Sequence, residues 1–386
     1  MTDAVPSATL DPYAASDAAL AAALGDEPRY RLAQLRAWLA RGVDDPEAMT
    51  DLPAALRRRL AGRLAPPPEL VAQTSADGGL TRKVLLRMQP SGEEIESVLM
   101  LYPAGGERER ARATVCVSTQ AGCAMGCPFC ATGQAGLRGQ LTVGEIVRQV
   151  TVMQRLLASG AIAVDGAPDH VTNVVFMGMG EPLANVAGTL GAVRWLTDAE
   201  AGLGLSARSI TVSTIGLVPA MRQLTALGLP VRLAVSLHAP DDALRDDLVP
   251  ANRSHPLAEV LAAAAEHAEA TGRRVTFEYV LIDGINDQPE HAERLAALLA
   301  GRGAAHLNLI PMNPTPGVAW TAPPVAAQRA FCRRLTDAGL PATIRANRGT
   351  DIDAACGQLY ATYRLGSGRI LPAAIGAAER LDGARR

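Results

Sequence analysis

The chain has 386 residues, with 37 Lys and Arg against 39 Asp and Glu and a formal net charge of −2. That is too long for a disulfide-stapled miniprotein and long enough for one large domain of roughly 250 residues with an appendage. At 48% hydrophobic residues the composition supplies a core, no stretch approaches the roughly 20 unbroken apolar residues of a membrane span, and near-zero net charge leaves nucleic-acid binding to local charge.

The start, Met1-Thr2-Asp3, lacks the cationic opening and apolar block of a secretory signal, so the expectation is a soluble cytoplasmic protein, monomeric by default. Six cysteines in that compartment are expected to be working thiolates rather than structural disulfides. Lys83 is the only lysine, and no Gly-x4-Gly-Lys-Ser/Thr surrounds it. This excludes a Walker-type nucleotide site and confines lysine Schiff-base chemistry to one residue.

Residues 1–24 are Ala-rich without an apolar period and read as a loose tail. Leu32, Leu35, Trp38 and Leu39 recur at helical spacing, and the stretch ending in Leu56-Arg57-Arg58-Arg59-Leu60 follows after a break, predicting a small helical module over 25–65. Between Arg29 and Arg63 it holds eight arginines against Asp44, Asp45, Glu47 and Asp51. A solvated helix face is the ordinary meaning of such a run. Pro66-Pro67-Pro68 reads as a semi-rigid spacer that opens a linker and β extension over 66–112, with strands at Val84-Leu85-Leu86 and Ser97–Tyr102. Strand candidates near 113–118, 171–177, 208–213, 231–237, 274–282 and 305–310 then alternate with helical patterns, clearest at Val143, Ile146, Val147, Val150, Met153 and Leu157. Such repeats predict an α/β fold with a parallel sheet, either open and doubly wound or a full or partial barrel. Residues 342–346 are expected to close it within a domain over 113–365, and 366–386 to form a flexible tail.

Cys123-Ala-Met-Gly-Cys127-Pro-Phe-Cys130 follows the first strand of the repeat, where parallel α/β folds put their chemistry. Gly126 and Pro128 discourage helix and let three thiolates converge. Three sulfurs suit three irons of a cubane [4Fe–4S] cluster, with the fourth iron open to a ligand. Zinc needs a fourth protein ligand, and no His or Cys follows within 30 residues, although Cys116 precedes by seven. A non-catalytic RNA-binding protein with zinc in this loop stays open as an alternative. Alone, Gly178-Met179-Gly180-Glu181-Pro182 is as readily a tight turn as a ligand contact, and Cys356 a small buried hydrophobe.

The Cys-x3-Cys-x2-Cys loop resembles that of the radical S-adenosylmethionine (SAM) superfamily. The longer string Cys116-Val-Ser-Thr-Gln-Ala-Gly-Cys123 through Cys130-Ala-Thr-Gly is similar to its RlmN/Cfr branch of adenosine methyltransferases. The resemblance runs from about Gly25 to Tyr360. It includes Gly178–Leu183, Ser213-Thr214, Ser236–Pro240, Glu278–Leu281, Ile310–Pro314 and the Arg348–Leu359 string around Cys356.

This resemblance implies a partial (β/α) radical-SAM barrel with a small N-terminal helical accessory domain that grips RNA. It implies a [4Fe–4S] cluster on Cys123, Cys127 and Cys130, and a SAM pocket formed by Gly180, Glu181, Ser213, Ser236, Leu237, His238 and Asn313. It further implies two SAM per turnover, one methylating Cys356 to S-methylcysteine and the other supplying the radical that activates that methyl for bonding to adenine. Cys116 is implied as the resolving thiol, in a transient disulfide with Cys356, and Glu96 as the proton acceptor. Cys332 matches no motif and reads as structural.

The implied substrates are an adenosine in the peptidyl-transferase region of 23S rRNA and the adenosine 3′ of the anticodon in tRNA, methylated at C2. The cluster's need for an electron implies a low-potential, flavodoxin-like donor. Cfr-type C8 methylation uses every residue named, whereas a radical SAM enzyme acting on a small molecule would leave Cys116, Cys356 and Glu96 idle. Gly139-Gln140 in place of Arg-Asn, Val186 in place of Tyr and Thr350 in place of Asp depart from the family pattern at positions without a thiol.

Overall fold

Helical spacing in the first sixty residues yields three short helices, α1 (Asp17–Leu24), α2 (Tyr30–Ala40) and α3 (Ala54–Ala61). The structure is a computed structural model and describes residues 9–89, 91–105, 110–301, 305–315 and 318–359. Residues 1–8 and the expected tail at 366–386 lie outside those. The rest of the expected leading tail is corrected. Ser16 caps α1 by accepting the Ala19 N–H, Leu20 and Leu24 are buried, and the Tyr13 ring packs edge-on against Trp195 at 5.1 Å. Alanine hid this helix, because Ala favours the conformation without marking a face.

Three strands follow, β1 (Glu69–Ala76), β2 (Thr81–Arg87) and β3 (Glu94–Tyr102), and then β4 (Arg112–Cys116). β1 falls where the spacer and linker were expected. It is an edge strand with mostly exposed residues, so no alternation betrays it. A short hairpin of β5 (Gln120–Gly122) and β6 (Leu137–Gln140) encloses α4 (Ala131–Gln134). The repeat continues through α5 (Val143–Ala158), β7 (Asn173–Phe176), α6 (Val186–Thr197), β8 (Ile210–Thr214), α7 (Val218–Ala226), β9 (Arg232–Ser236), α8 (Asp242–Leu248) and α9 (Leu257–Thr271). It ends with β10 (Thr276–Leu281), α10 (Pro289–Leu299), β11 (His306–Pro311), α11 (Val325–Asp337) and β12 (Ala342–Ile344).

The main sheet has the order β1-β2-β3-β4-β7-β8-β9-β10-β11-β12. Pairing is antiparallel from β1 to β4 and parallel from β4 to β12. Val115, Val212, Leu233 and Leu309 are fully buried in the main core. The alternate positions, Cys116, Ser213, Ser236 and Ile310, line cavities on the inner face. Cys116 of β4 and Ile310 of β11 border one cavity though four strands lie between them. The sheet therefore curls into a partial barrel that strand pairing does not close.

Most arginines of the helical module bind inside it. Arg31 donates to Gln34 at 2.7 Å, Arg36 pairs with Asp17, Arg57 donates to the Glu47 carbonyl at 2.7 Å and Arg63 to the Ala22 carbonyl at 3.1 Å. Arg59 holds Glu27 at 3.3 Å, and Arg41 stacks on Trp38 at 3.9 Å.

The module is fixed to the barrel by Arg148 of α5, whose side chain is 2% exposed and donates to Asp44 Oδ2 at 2.8 Å and to the Ala65 carbonyl at 2.9 Å. Asp44→Ala leaves this guanidinium buried without a counter-charge. The expected cost is about 3–5 kcal/mol, read as a lowered denaturation midpoint.

Candidate active site

Strands β7 to β11 end toward one cavity, and residues at or just past those ends form much of its wall. Cys123, Cys127 and Cys130 enter from the stretch between β5 and α4, Gly180 and Glu181 from the loop after β7, and Ser213 from β8. Ser236 and His238 come from the end of β9, Asn313 from beyond β11, and Cys356 from the chain after β12. The structure thus gathers the expected SAM-pocket residues, Leu237 excepted. Leu237 has no exposure and belongs to the main core, so its side chain takes no part in the wall.

The three thiols are held in their uncharged form in the free protein. Burial pushes Cys123 up to about 12 and raises Cys130, and Cys127 is driven well above its ordinary value by burial and then by Cys130 and Cys123. Among the described residues no three Cys, His, Asp or Glu side chains are grouped to hold a single metal ion, so the thiols border a cavity rather than one point. Three sulfurs on one cavity wall make a donor set that could hold three irons, and binding would release their protons.

Glu181 is 4% exposed. Its Oε1 accepts from Leu183 N at 3.0 Å and its Oε2 from Ile215 N at 3.0 Å. Burial raises its carboxyl to about 7, against the lowering effect of the Thr214 hydroxyl and those two amides. A buried, oriented carboxylate of this kind suits an ammonium group. Gly180 has another reason to be glycine: its φ is +98° and an added Cβ would come 2.6 Å from the Gln120 Cβ. Protein packing alone therefore requires the residue.

His238 has a φ of +61°, uncommon for a residue with a Cβ. Its Nδ1 accepts from Val280 N at 3.0 Å, and Asn286 donates to its carbonyl at 3.0 Å. Burial first, and then the Arg245 charge, lower its ring to about 3. The imidazole is expected to stay neutral, and NMR of its ring protons should show no titration between about pH 5 and pH 8.

Sequence reasoning missed Arg245, which has no exposed surface. It donates to the carbonyls of Leu237 at 3.0 Å and Ser236 at 2.9 Å, to the Ile215 carbonyl, and to Asn252 at 2.6 Å. It fixes the two loops after β8 and β9 on which Ser213, Ser236 and His238 depend. Its signal is weak, because an arginine in Asp241-Asp-Ala-Leu-Arg-Asp-Asp reads as a solvated ion-pair partner.

Cys356 lies 226 residues beyond Cys130, yet its segment is bonded to the cysteine loop. Ala131 N donates to the Gly357 carbonyl at 2.8 Å, Thr132 to the Leu359 carbonyl, and Asn313 to the Cys356 carbonyl at 2.9 Å. A second cavity adjoins the first, sharing Cys356 and Arg345, and is walled by Cys116, Val98 and Tyr102. Cys116 and Cys356, both free thiols, therefore border the same space.

Glu96 walls neither cavity, although β3 turns it to the same side as Val98 and Met100. Its side chain is 3% exposed and its carboxylate meets Lys83 Nζ at 3.0 Å. The lone lysine thus serves an ion pair, and it also donates to the Asp353 carbonyl at 3.3 Å in the segment leading to Cys356. Neighbouring Glu93 and Glu94 are engaged by Arg138 and Arg87. Cys332 sits half-buried on α11 with its sulfur 3.6 Å from the Ala342 carbonyl, as a structural residue would.

A model of the radical SAM superfamily matches residues 117–296. The "Probable dual-specificity RNA methyltransferase RlmN" of Parafrankia sp. is 56% identical over 326 residues, 83% of this chain and 82% of that protein. The protein of the same name from Thermobifida fusca is 53% identical, covering 92% of this chain and 94% of its own length. Among solved structures, a radical SAM methyltransferase from Sphaerobacter thermophilus is 47% identical, covers 91% of this chain and 99% of that one, and superposes with a TM-score of 0.83. No helix of the described residues is long and apolar enough to cross a membrane.

Proposed function

The chain belongs to the RlmN family of radical SAM RNA methyltransferases, and from that membership we propose that it methylates C2 of adenosine in the peptidyl-transferase region of 23S rRNA and 3′ of the anticodon in tRNA. The observation that carries this reading is Cys356, which borders both the three-cysteine cavity and the space holding Cys116. A thiol shared by two such cavities suits a group handed from cofactor to substrate.

When bound, the cluster and two SAM molecules supply an electron, a methyl group and a 5′-deoxyadenosyl radical. Cys123, Cys127 and Cys130 would hold three irons, and Glu181 would meet the SAM ammonium beside Ser213, Ser236, His238 and Asn313. Cys356 carries the methyl as S-methylcysteine; loss of one hydrogen atom from that methyl to the radical lets its carbon bond to the adenine ring, and the adduct gives up one electron, which the cluster would accept. Glu96, steadied by Lys83, takes the proton from the methylated ring carbon. Cys116 then attacks the Cys356 sulfur, and the sulfur–carbon bond breaks as that carbon takes up a proton. This chemistry answers a difficulty, since an aromatic C–H carbon is too poor a nucleophile to take a sulfonium methyl directly. The reading includes a low-potential, flavodoxin-like donor and a cytoplasmic site of action.

The test is nucleoside mass spectrometry of unmodified 23S rRNA and tRNA after incubation with anaerobically reconstituted protein, SAM and reductant. The expected product is 2-methyladenosine. Finding 8-methyladenosine moves the reading to the C8 branch. No methylated adenosine, from protein that carries its iron and cleaves SAM, overturns the roles of Cys116, Cys356 and Glu96 or the RNA substrate.

A further inference from the structure

Three side chains stand abreast across β2, β3 and β4. Lys83 is the cross-strand partner of Val98, and Val98 is that of Cys116. Directly opposed residues point to the same side of a sheet, so the lysine, the cavity-lining valine and the Cys116 thiol share one face, with Glu96 two residues before Val98 on it. The segment leading to Cys356 is fastened over that face. Arg348 donates to the Leu101 carbonyl at 2.9 Å and stacks on the Tyr102 ring at 4.2 Å. A Cβ added at Gly349, whose φ is +63°, would come 2.9 Å from Thr81 Cγ2. Lys83 Nζ donates to the Asp353 carbonyl at 3.3 Å.

One ammonium therefore touches both the carboxylate named as proton acceptor and the segment that carries Cys356. The Lys83 side chain is 10% exposed and reaches Glu96 Oε1 at 3.0 Å. The backbone of Glu96 is held to the barrel separately: Ser118 Oγ donates to its carbonyl at 2.6 Å, and its own N–H points to the Met179 sulfur at 3.4 Å. Barrel loops thus fix the main chain, while the lysine directs the side chain. A carboxylate so enclosed is costly without a counter-charge, and only the ionised form can take a proton. An ammonium sets three donors around one compact nitrogen, so it can hold a carboxylate and a carbonyl in different directions, which a planar guanidinium fork does less freely. The chain has a single lysine among its 37 Lys and Arg, and places it here.

We propose that Lys83 is the positioning residue of the proton-removal step: its ammonium balances and aims the Glu96 carboxylate and, through the Asp353 carbonyl, holds it in register with the Cys356 segment. When the ring carbon bonded to the Cys356 methylene gives up its proton, the C–H electron pair returns to the ring, the proton passes to a Glu96 oxygen, and Lys83 stays protonated throughout. The inference rests on the RNA-methylation reading.

The test is single-turnover methylation by cluster-loaded native protein, Lys83→Met, Lys83→Arg and Lys83→Ala, on tRNA transcripts made with unlabelled ATP or with ATP deuterated at C2 and C8. Lys83→Met is expected to keep its iron and to release 5′-deoxyadenosine at the native rate. It should lose the ring hydrogen, and so form methylated product, about ten- to a hundredfold more slowly, a part of the roughly 10²–10⁴ that a positioned base supplies. The deuterium isotope effect on product formation is larger in Lys83→Met than in native protein, because proton removal becomes the slow step, and kcat falls while KM for RNA holds. Lys83→Arg recovers part of the rate. In Lys83→Ala, propylammonium restores turnover whereas 1-propanol, of similar size and uncharged, does not. Iron content and SAM cleavage that fall in step with methylation in Lys83→Met, or equal rescue of Lys83→Ala by the amine and the alcohol, give Lys83 a merely structural role and overturn the proposal. Native rates without a changed isotope effect in Lys83→Met overturn it while RNA methylation stands. Native protein that cleaves SAM and methylates no RNA overturns both.

Discussion

Cys356→Ala is expected to lose methyl transfer to RNA by at least about 10³-fold while keeping its iron and its ability to cleave SAM. The geometry separates these outcomes. The contacts that dock the Cys356 segment on the cysteine loop are made by backbone carbonyls of Cys356, Gly357 and Leu359. Removing one sulfur leaves them in place, so the walls of the cofactor cavity keep their positions. Cys356 is also an exposed thiol, where a buried hydrophobe would be silent. Iron analysis, 5′-deoxyadenosine release and nucleoside mass spectrometry on one preparation check the three quantities. Cys356→Ala that still methylates RNA removes the covalent route altogether.

Cys116→Ala is expected to stop at the next stage and accumulate a covalent protein–RNA species that survives denaturing electrophoresis. Cys116 shares its cavity with Cys356, and no other thiol borders that space. The native protein should also show a pH signature at this step. Burial, and then Cys356, push the Cys116 thiol up to about 12, with Arg345 acting in the opposite direction. Only the thiolate attacks sulfur, and below that value its fraction grows with pH. Release of RNA in a single turnover should therefore quicken about tenfold per unit from about pH 7 to about pH 9. Release at a pH-independent rate, or free methylated RNA from Cys116→Ala, assigns resolution to another group.

Arg345 links this chemistry to the barrel. It pairs with Glu278 at 3.3 Å, which also accepts from Asn308 at 2.8 Å, and its guanidinium is raised first by Cys356 and held up by Glu278. A cation beside Cys116 favours the thiolate that attacks. Nothing in the sequence around Arg345 announces this, since its acidic partner lies three strands back along the chain order, on β10.

What the sequence determined by itself was whatever depends on near neighbours. Three cysteines within eight residues specify a thiol set whatever surrounds them, and apolar runs at period two or 3.6 mark strands such as β4 and helices such as α5, because burying one face needs only local spacing. The ordered strings around Cys116, Gly180 and Cys356 carried the family. Weak local signals failed: five of the eight residues of α1 are alanine, and β1 is an exposed edge. Tertiary structure alone decided partnership. Cys356 reaches the cysteine loop because the chain after β12 returns across the barrel mouth. Lys83 meets Glu96 because β2 and β3 pair in one particular register, and Arg245 becomes a buried brace instead of a surface charge. The electrostatic character of each group depends on which strands become neighbours and which face turns inward, and that is fixed only when the sheet curls and its core closes.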